Sequence, residues 1–360
     1  MRTARTAQTN NLNSAMANSI KKTFRNQSGP QQARQARVQG ALRAAAERAP
    51  DATPTGRPLF SVIVCTLNGA RVLPACLASL LANRGVTFEV IVVDNGSTDA
   101  TAQIARGFAG VRLIRAGQNL GFAGGNNLGL LAARGGYLVL LNDDTETPPD
   151  WLAHVAEGFA RHGRIGAVGC KLVYPNKRPA NDPRERVIQH AGGVLLANGN
   201  TGHAGVGEPD RGQWNTGREC DYVTGAALAL RRAALVDVGL LDPAFFPIYY
   251  EEVDLQTRLR EAGWKIWYEP AAWLVHYESQ TQGAGSPMFV YRYTRCRMRY
   301  LALHGCPGGK WRALAMELPW LWRITFAGRL WPVLKAYVYG VRHWRGWRNE
   351  RATRPTVGRL

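Results

Sequence analysis

The sequence predicts an α/β domain, a mostly parallel central sheet with helices on both faces, extended at its C-terminus by a basic helical segment. Three observations predict it. Between residues 60 and 165 short β-branched runs alternate with helical stretches over short connections, the pattern of a doubly wound sheet. Polar clusters follow the strands directly, where ligands of such sheets bind. The net charge of +19 is confined to the ends: residues 1–57 carry +8, residues 290–360 carry +13, and the span between them −2.

Residues 1–57 are rich in Arg, Ala, Gln, Asn and Thr, which predicts a basic, largely disordered segment with one helix near 31–48. Their acid-poor, Arg- and Ser/Thr-rich make-up also fits an organellar targeting segment, the lesser of the two readings. Order is expected from Phe60, where Phe60–Thr66 forms a short apolar strand before Asn68-Gly69. A helix follows over about 71–83. The continuous run Phe88–Asp94 suits a strand buried on both faces. Asn95–Asp99 is a turn feeding a helix, with Ser97 or Thr98 as its cap. A strand near 111–115, a helix near 124–134 and the strand Tyr137–Leu141 complete a nucleotide-binding half, 58–165. Residues 166–289, glycine-rich and irregular, are expected to form a mixed second half. The span 290–360, basic and rich in tryptophan, is the expected membrane-associating tail.

Six scattered cysteines, with no CxxC pair and no Cys/His cluster at zinc spacing, predict reduced thiols in a cytosolic protein. No run of about 18 uncharged apolar residues occurs, so no spanning helix is expected.

Asn142-Asp143-Asp144 follows a strand, and adjacent carboxylates repel unless a cation or donor compensates them. Mg²⁺ or Mn²⁺ shared with a diphosphate is the natural partner, and a solvated Asp-rich turn is the bland alternative. Asp94 ends another strand of the same sheet and favours the first reading. The stretch Asn119–Gly129 is a Gly-rich loop whose backbone could approach a phosphate or ribose, without the Lys-Ser/Thr of a P-loop. Glu251-Glu252-Val253-Asp254 places three acids at a helix start. The helix dipole explains one or two of them, and a base for an alcohol is the functional reading. Arg258 and Arg260 are expected to pair with these acids. His276 ends a short apolar run, as a core histidine or a metal ligand.

Together these residues resemble the family 2 glycosyltransferases of GT-A fold over roughly 58–305, in the rhamnosyltransferase-like branch. The resemblance implies a nucleotide-sugar site of Thr66, Leu67, Asn68, Asp94, Ser97, Asn119, Gly121, Asn126 and Asp143, with Asp94 reading a pyrimidine and Asp143 the ribose. It implies Asp144 and His276 as ligands of Mg²⁺ or Mn²⁺, Gly225 and Ala226 beside the acceptor, and an acid of 251–254 as base, Glu252 first with Glu251 and Asp254 in contention. Three departures stand out: Leu67 for a frequent Tyr, Asn142 for the first acid of the DxD motif, and Glu252 for an Asp.

The activity implied is an inverting, metal-dependent transfer from a nucleoside-diphosphate sugar, of dTDP-rhamnose or UDP-hexose type, to a hydroxyl of a lipid-linked or polysaccharide acceptor. A binding protein of the same fold without turnover and a sugar-1-phosphate nucleotidylyltransferase are the alternatives. Arg292, Arg295 and Arg299 on one helical face, with Trp311, Trp320, Trp322, Trp331, Trp344 and Trp347, suit an anionic membrane surface. A peripheral place at the inner face of a bacterial cytoplasmic membrane is therefore expected, and nucleic acid is not an expected partner.

Overall fold

A computed structural model describes residues 56–175, 186–277, 286–326 and 328–353. The expectations for residues 1–55, including the helix near 31–48, lie outside the described residues.

The first half follows the expected alternation: β1 (Phe60–Thr66), α1 (Leu73–Leu81), β2 (Phe88–Asp94), α2 (Thr101–Gly107), β3 (Val111–Arg115), α3 (Gly121–Ala132), β4 (Tyr137–Leu141), β5 (Thr145–Glu146) and α4 (Trp151–Ala160). The second half runs β6 (Ile165–Val173), β7 (Ile188–His190), β8 (Gly193–Leu195), β9 (Thr201–His203), β10 (Arg218–Glu219), β11 (Ala227–Arg231), α5 (Arg232–Val238), α6 (Glu251–Glu261) and β12 (Lys265–His276). The chain closes with α7 (Pro287–His304), α8 (Lys310–Phe326) and α9 (Leu330–Thr353).

The main sheet has the order β10-β12-β6-β11-β4-β1-β2-β3. Strands β3, β2, β1 and β4 are mutually parallel, β11 lies antiparallel between β4 and β6, and β12 runs parallel to β6. Successive side chains of a strand point to opposite faces, so an unbroken apolar strand must be covered twice. That division is visible here. Val62, Val64, Val90, Val92, Val139 and Leu141 join one core with α1 and α4, whereas Ile63, Ile91, Val93, Leu138 and Leu140 join another with α3, α5 and α6.

The Gly-rich stretch 121–129 is the start of α3 rather than a loop. A Cβ at Gly125 would collide with Cys65 and Asn95, and one at Gly129 with Ile63. These glycines bring the helix close against β1, which corrects the expectation that they admit a phosphate. The cap of α2 also differs. Neither Ser97 nor Thr98 serves; Asp99 Oδ1 accepts from Thr101 N at 3.0 Å, because the helix begins two residues later than the turn suggested.

The expected boundary at 290 cuts through α7. Val290, Cys296, Tyr300 and Leu303 are buried, and the last three pack with Tyr222, Phe245, Tyr250 and Val253, so α7 belongs to the α/β body. Arg299, expected on a basic face with Arg292 and Arg295, is 4% exposed and pairs with Asp242 (2.8 Å) and Glu350 (2.6 Å). Arg295 donates to the Phe246 carbonyl. Beyond α7 the character changes, and Ala313 is the buried residue of α8.

Candidate active site

The polar cluster is set by strand register. Thr66 pairs with Asp94, so β1 and β2 end level, while β4 ends two residues earlier with Leu141 opposite Val64, which lets Asp143 come beside Thr66 at the same edge. Thr66 Oγ1 donates a short hydrogen bond to Asp143 Oδ2. Burial pushes the Asp143 carboxyl up to about 6; the Thr66 bond opposes this and the adjacent Asp144 charge adds to it. Asp94, 1% exposed, accepts from Ser97 N (2.8 Å) and faces Arg115 Nε (3.3 Å). Asn68, at φ 56, clasps the second loop: its N–H donates to Ser97 Oγ (2.9 Å) and its Oδ1 accepts from Thr98 N (2.8 Å). Leu67 is half-buried in that same turn.

Exposed Asn119 turns its Oδ1 to Gly121 N at 2.8 Å. Gly121 itself has φ 71, and a Cβ there would strike Phe246 and the Pro247 carbonyl. Asn126 does not reach this crevice. It is 2% exposed and its amide donates to Phe122 O within α3 (3.0 Å), so its role is internal.

A cavity of about 320 Å³ opens beside this edge, and Asn142, Asp144, Thr224, Gly225, Ala226, Glu251, Glu252 and His276 contribute to its lining. Strand β12 delivers His276 there because its end pairs with β5, His276 opposite Thr145. His276 Nδ1 lies 2.7 Å from Gln189 Oε1, an acceptor, so Nδ1 donates there and Nε2 is the nitrogen turned toward Asn142 and Asp144. Nε2 faces Asn142 Nδ2 at 3.3 Å and Asp144 Oδ1 at 3.2 Å. That carboxylate oxygen is buried without a hydrogen-bond donor.

A buried carboxylate oxygen without a donor, 3.2 Å from an imidazole nitrogen, is the kind of pair a divalent cation takes as ligands. The Gln189 bond is the outer support that metal-bound histidines usually have. Among the described residues no cluster of three His, Cys, Asp or Glu could hold a metal. Two protein ligands nevertheless fit Mg²⁺ or Mn²⁺, which commonly take further oxygens from a phosphate and water.

The three acids of α6 separate. Glu252 is half-buried in the cavity lining, close to Gly225, and burial raises its pKa. Glu251 is fully buried with neither carboxyl oxygen hydrogen-bonded; burial first, then the charge of Glu252, raises it well above the carboxylate range. Asp254 leaves the contest for the base. Its side chain is 0% exposed and held by Arg258 (2.9 Å) and His304 (2.8 Å), two residues beyond Glu252 and therefore roughly on the opposite side of the helix. Arg258 pairs as expected, whereas Arg260 reaches Asp221 at 3.3 Å instead of an acid of α6.

Several lining residues were not singled out from sequence: Phe122, Tyr222, Tyr249, Phe289 and Tyr293, together with Gln189 behind His276. Tyr249 and Tyr250 stand immediately before the acids, and that adjacency was their one available signal. Gln189 and Tyr222 come from the irregular half, where no periodicity marks a face.

Residues 61–237 match the model of Glycosyl transferase family 2. The chain is 28% identical over 294 residues to N-acetylglucosaminyl-diphospho-decaprenol L-rhamnosyltransferase of Mycobacterium tuberculosis, covering 75% of this chain and 91% of that protein. It is 33% identical to an uncharacterised protein of Sinorhizobium fredii, covering 63% of this chain but only 25% of that longer protein. The fold is similar to that of GalNAc-T7 solved with UDP, GalNAc and Mn²⁺, with TM-score 0.54 and 16% identity over 69% of this chain and 48% of that one. Residues 61–237 therefore form a family 2 glycosyltransferase domain, and the sheet and helices have the GT-A fold.

Proposed function

We propose that this glycosyltransferase moves a sugar from a nucleoside-diphosphate donor, of dTDP-rhamnose or UDP-hexose type, to a hydroxyl of a lipid-linked or polysaccharide acceptor with inversion. One observation carries the reading: Asp144, Glu252 and His276, from three distant stretches of chain, line a single cavity. Asp144 and His276 would hold the divalent cation, which when bound supplies charge neutralisation to the diphosphate leaving group.

Thr66 and Asn68 shape the loop for the nucleotide, with Asp94, Ser97 and Asp143 beside it. Gly225 and Ala226 leave room at the other wall. Glu252 accepts the proton of the attacking hydroxyl, and its raised pKa makes it a stronger base than an exposed carboxylate. Attack from the side opposite the leaving group gives inversion. The relative named for rhamnosyl transfer to a diphospho-decaprenol acceptor supports a lipid-linked acceptor here.

The C-terminal helices support membrane association. Trp311 (84% exposed), Leu314, Leu318, Trp322 and Phe326 fall at helical spacing along one side of α8, with basic Lys310, Arg312 and Arg323 on the same helix. Trp331, Leu334, Val338 and Val341 continue an exposed apolar stripe on α9. Not all the tryptophans point outward: Trp347 is buried and Trp320 lies under Arg297, 4.4 Å from its ring centroid. Among the described residues no helix is long and apolar enough to cross a membrane.

The test is calorimetric binding of dTDP- and UDP-sugars with Mn²⁺, paired with transfer assays. Glu252→Gln should retain donor binding and lower transfer about 10²–10⁴-fold. Unchanged transfer, or loss of donor binding with the fold intact, overturns the assignment.

A further inference from the structure

The roles proposed for donor binding and proton transfer leave one wall of the cavity unassigned. Tyr249, Phe289 and Tyr293 form it. Phe289 and Tyr293, one turn apart on α7, stack with 11° between planes and centroids 5.9 Å apart, and Tyr249 meets Phe289 edge-on at 5.1 Å. Ser286 caps the helix by accepting from Phe289 N at 3.2 Å, which holds the first ring at the cavity mouth.

The backbone reaches this arrangement by an uncommon route. Tyr249 and Tyr250 have φ of 95° and 73°, a left-handed pair of bulky residues. Such conformations persist only where surrounding contacts impose them, and they concentrate at ligand sites. Tyr250 supplies those contacts: it is buried between Tyr293 and Tyr300 and donates its hydroxyl to Gly199 O at 2.7 Å. The turn thereby presents the Tyr249 ring and, three residues on, Glu252 to one cavity. Polar residues also line the cavity, Thr201, His203 and Thr224, and Thr201 N donates to Tyr293 Oη at 3.0 Å.

We propose that this aromatic wall seats a pyranose ring of the acceptor and sets acceptor specificity, an inference that rests on the transferase reading above. A pyranose presents C–H groups on one face and hydroxyls around its edge. The negative face of an aromatic ring attracts those polarised C–H groups, while hydroxyl, imidazole and carboxylate groups serve the edge. A wall for a prenyl chain would instead be apolar on all sides. The acceptor hydroxyl is therefore carried by a sugar already attached to its carrier, and the ring, not the lipid, is recognised at the site.

The test uses octyl β-D-glucopyranoside, octyl β-D-galactopyranoside and octyl N-acetyl-β-D-glucosaminide below their micelle concentrations, with n-octanol as control. Saturation-transfer NMR from the aromatic protons reads ring and alkyl protons separately. Ring protons of at least one glycoside should respond, with the response lost in Tyr293→Leu and Phe289→Leu and kept in Tyr293→Phe, which retains the ring. In transfer assays Tyr293→Leu should lower acceptor kcat/KM about fivefold to tenfold with nucleotide-sugar Kd unchanged. Response confined to the octyl protons, or equal ring response in Tyr293→Leu, overturns the proposal. Failure of the transferase reading shows separately, as absent nucleotide-sugar binding by calorimetry.

Discussion

Asp254→Asn separates a structural acid from a catalytic one. The Asp254 carboxylate is wholly buried and receives Arg258 Nε at 3.0 Å, Arg258 Nη2 at 2.9 Å and His304 Nε2 at 2.8 Å. Removing one partner of a buried ion pair costs about 3–5 kcal/mol, because the other charge stays buried. Arg258 keeps the Val238 and Leu240 carbonyls, and His304 keeps Glu261, so the lower end applies. At about 2–4 °C per kcal/mol for a large domain, 3 kcal/mol corresponds to a fall in Tm of roughly 6–12 °C.

The penalty should depend on pH. Burial alone would lower the His304 pKa, but its bonds to Asp254 and Glu261 outweigh that and hold it above the ordinary value. A raised folded pKa means the His304 contribution is complete below about 6.5 and is lost as pH rises through the folded value. The Tm difference between wild type and variant should therefore be larger at pH 6 than at pH 9, read by circular dichroism. Transfer measured well below both midpoints should change by only a few fold. Unchanged Tm with transfer abolished would refute this reasoning and return Asp254 to the role of base.

Glu251→Gln should leave the protein at least as stable at pH 8 and flatten its stability profile, followed by urea unfolding from pH 5 to 9. The sign follows from its raised pKa: stability is fullest below about 4.3, the unfolded value, and is lost as pH rises through the folded one. A steeper profile in the variant would contradict this. Glu317→Ala strands Arg297, which is 1% exposed and bound to Glu317 through both terminal nitrogens at 2.7 and 2.6 Å. A cost of about 3–5 kcal/mol is expected, with faster amide exchange across 310–326, and Arg297→Met/Glu317→Leu should recover much of it. Replacing Trp311, Trp322 and Phe326 together by Ser should release the protein from anionic liposomes in a sedimentation assay without lowering Tm; undiminished liposome binding would count against the exposed stripe as the contact.

The catalytic half of the fold was legible because its determinants are local. Runs such as Val62–Val64 and Val90–Val93 declare strands buried on both faces, and the acids and amides after them mark the edge where ligands gather. Sequence also located Asp144, Glu252 and His276 and the charge at the chain ends. It could not place Gly125 and Gly129, since a glycine reads alike whether it admits a phosphate or a neighbouring strand. Nor could it sort the acids of α6: about half a helical turn separates Glu252 at the cavity from Asp254 against Arg258 and His304, and the second of those partners comes from 50 residues away.

Composition and pattern alone determined the α/β alternation, the basic ends and the sites where acids cluster, all of which follow from backbone periodicity and side-chain chemistry within short windows. Tertiary structure alone decided which acid is buried in ion pairs, which arginines are consumed by the core, and which aromatic rings share a cavity with Glu252. Those outcomes depend on strand order and helix docking, which join residues as far apart as Asn142 and His276, and no local property of the chain encodes such a distance.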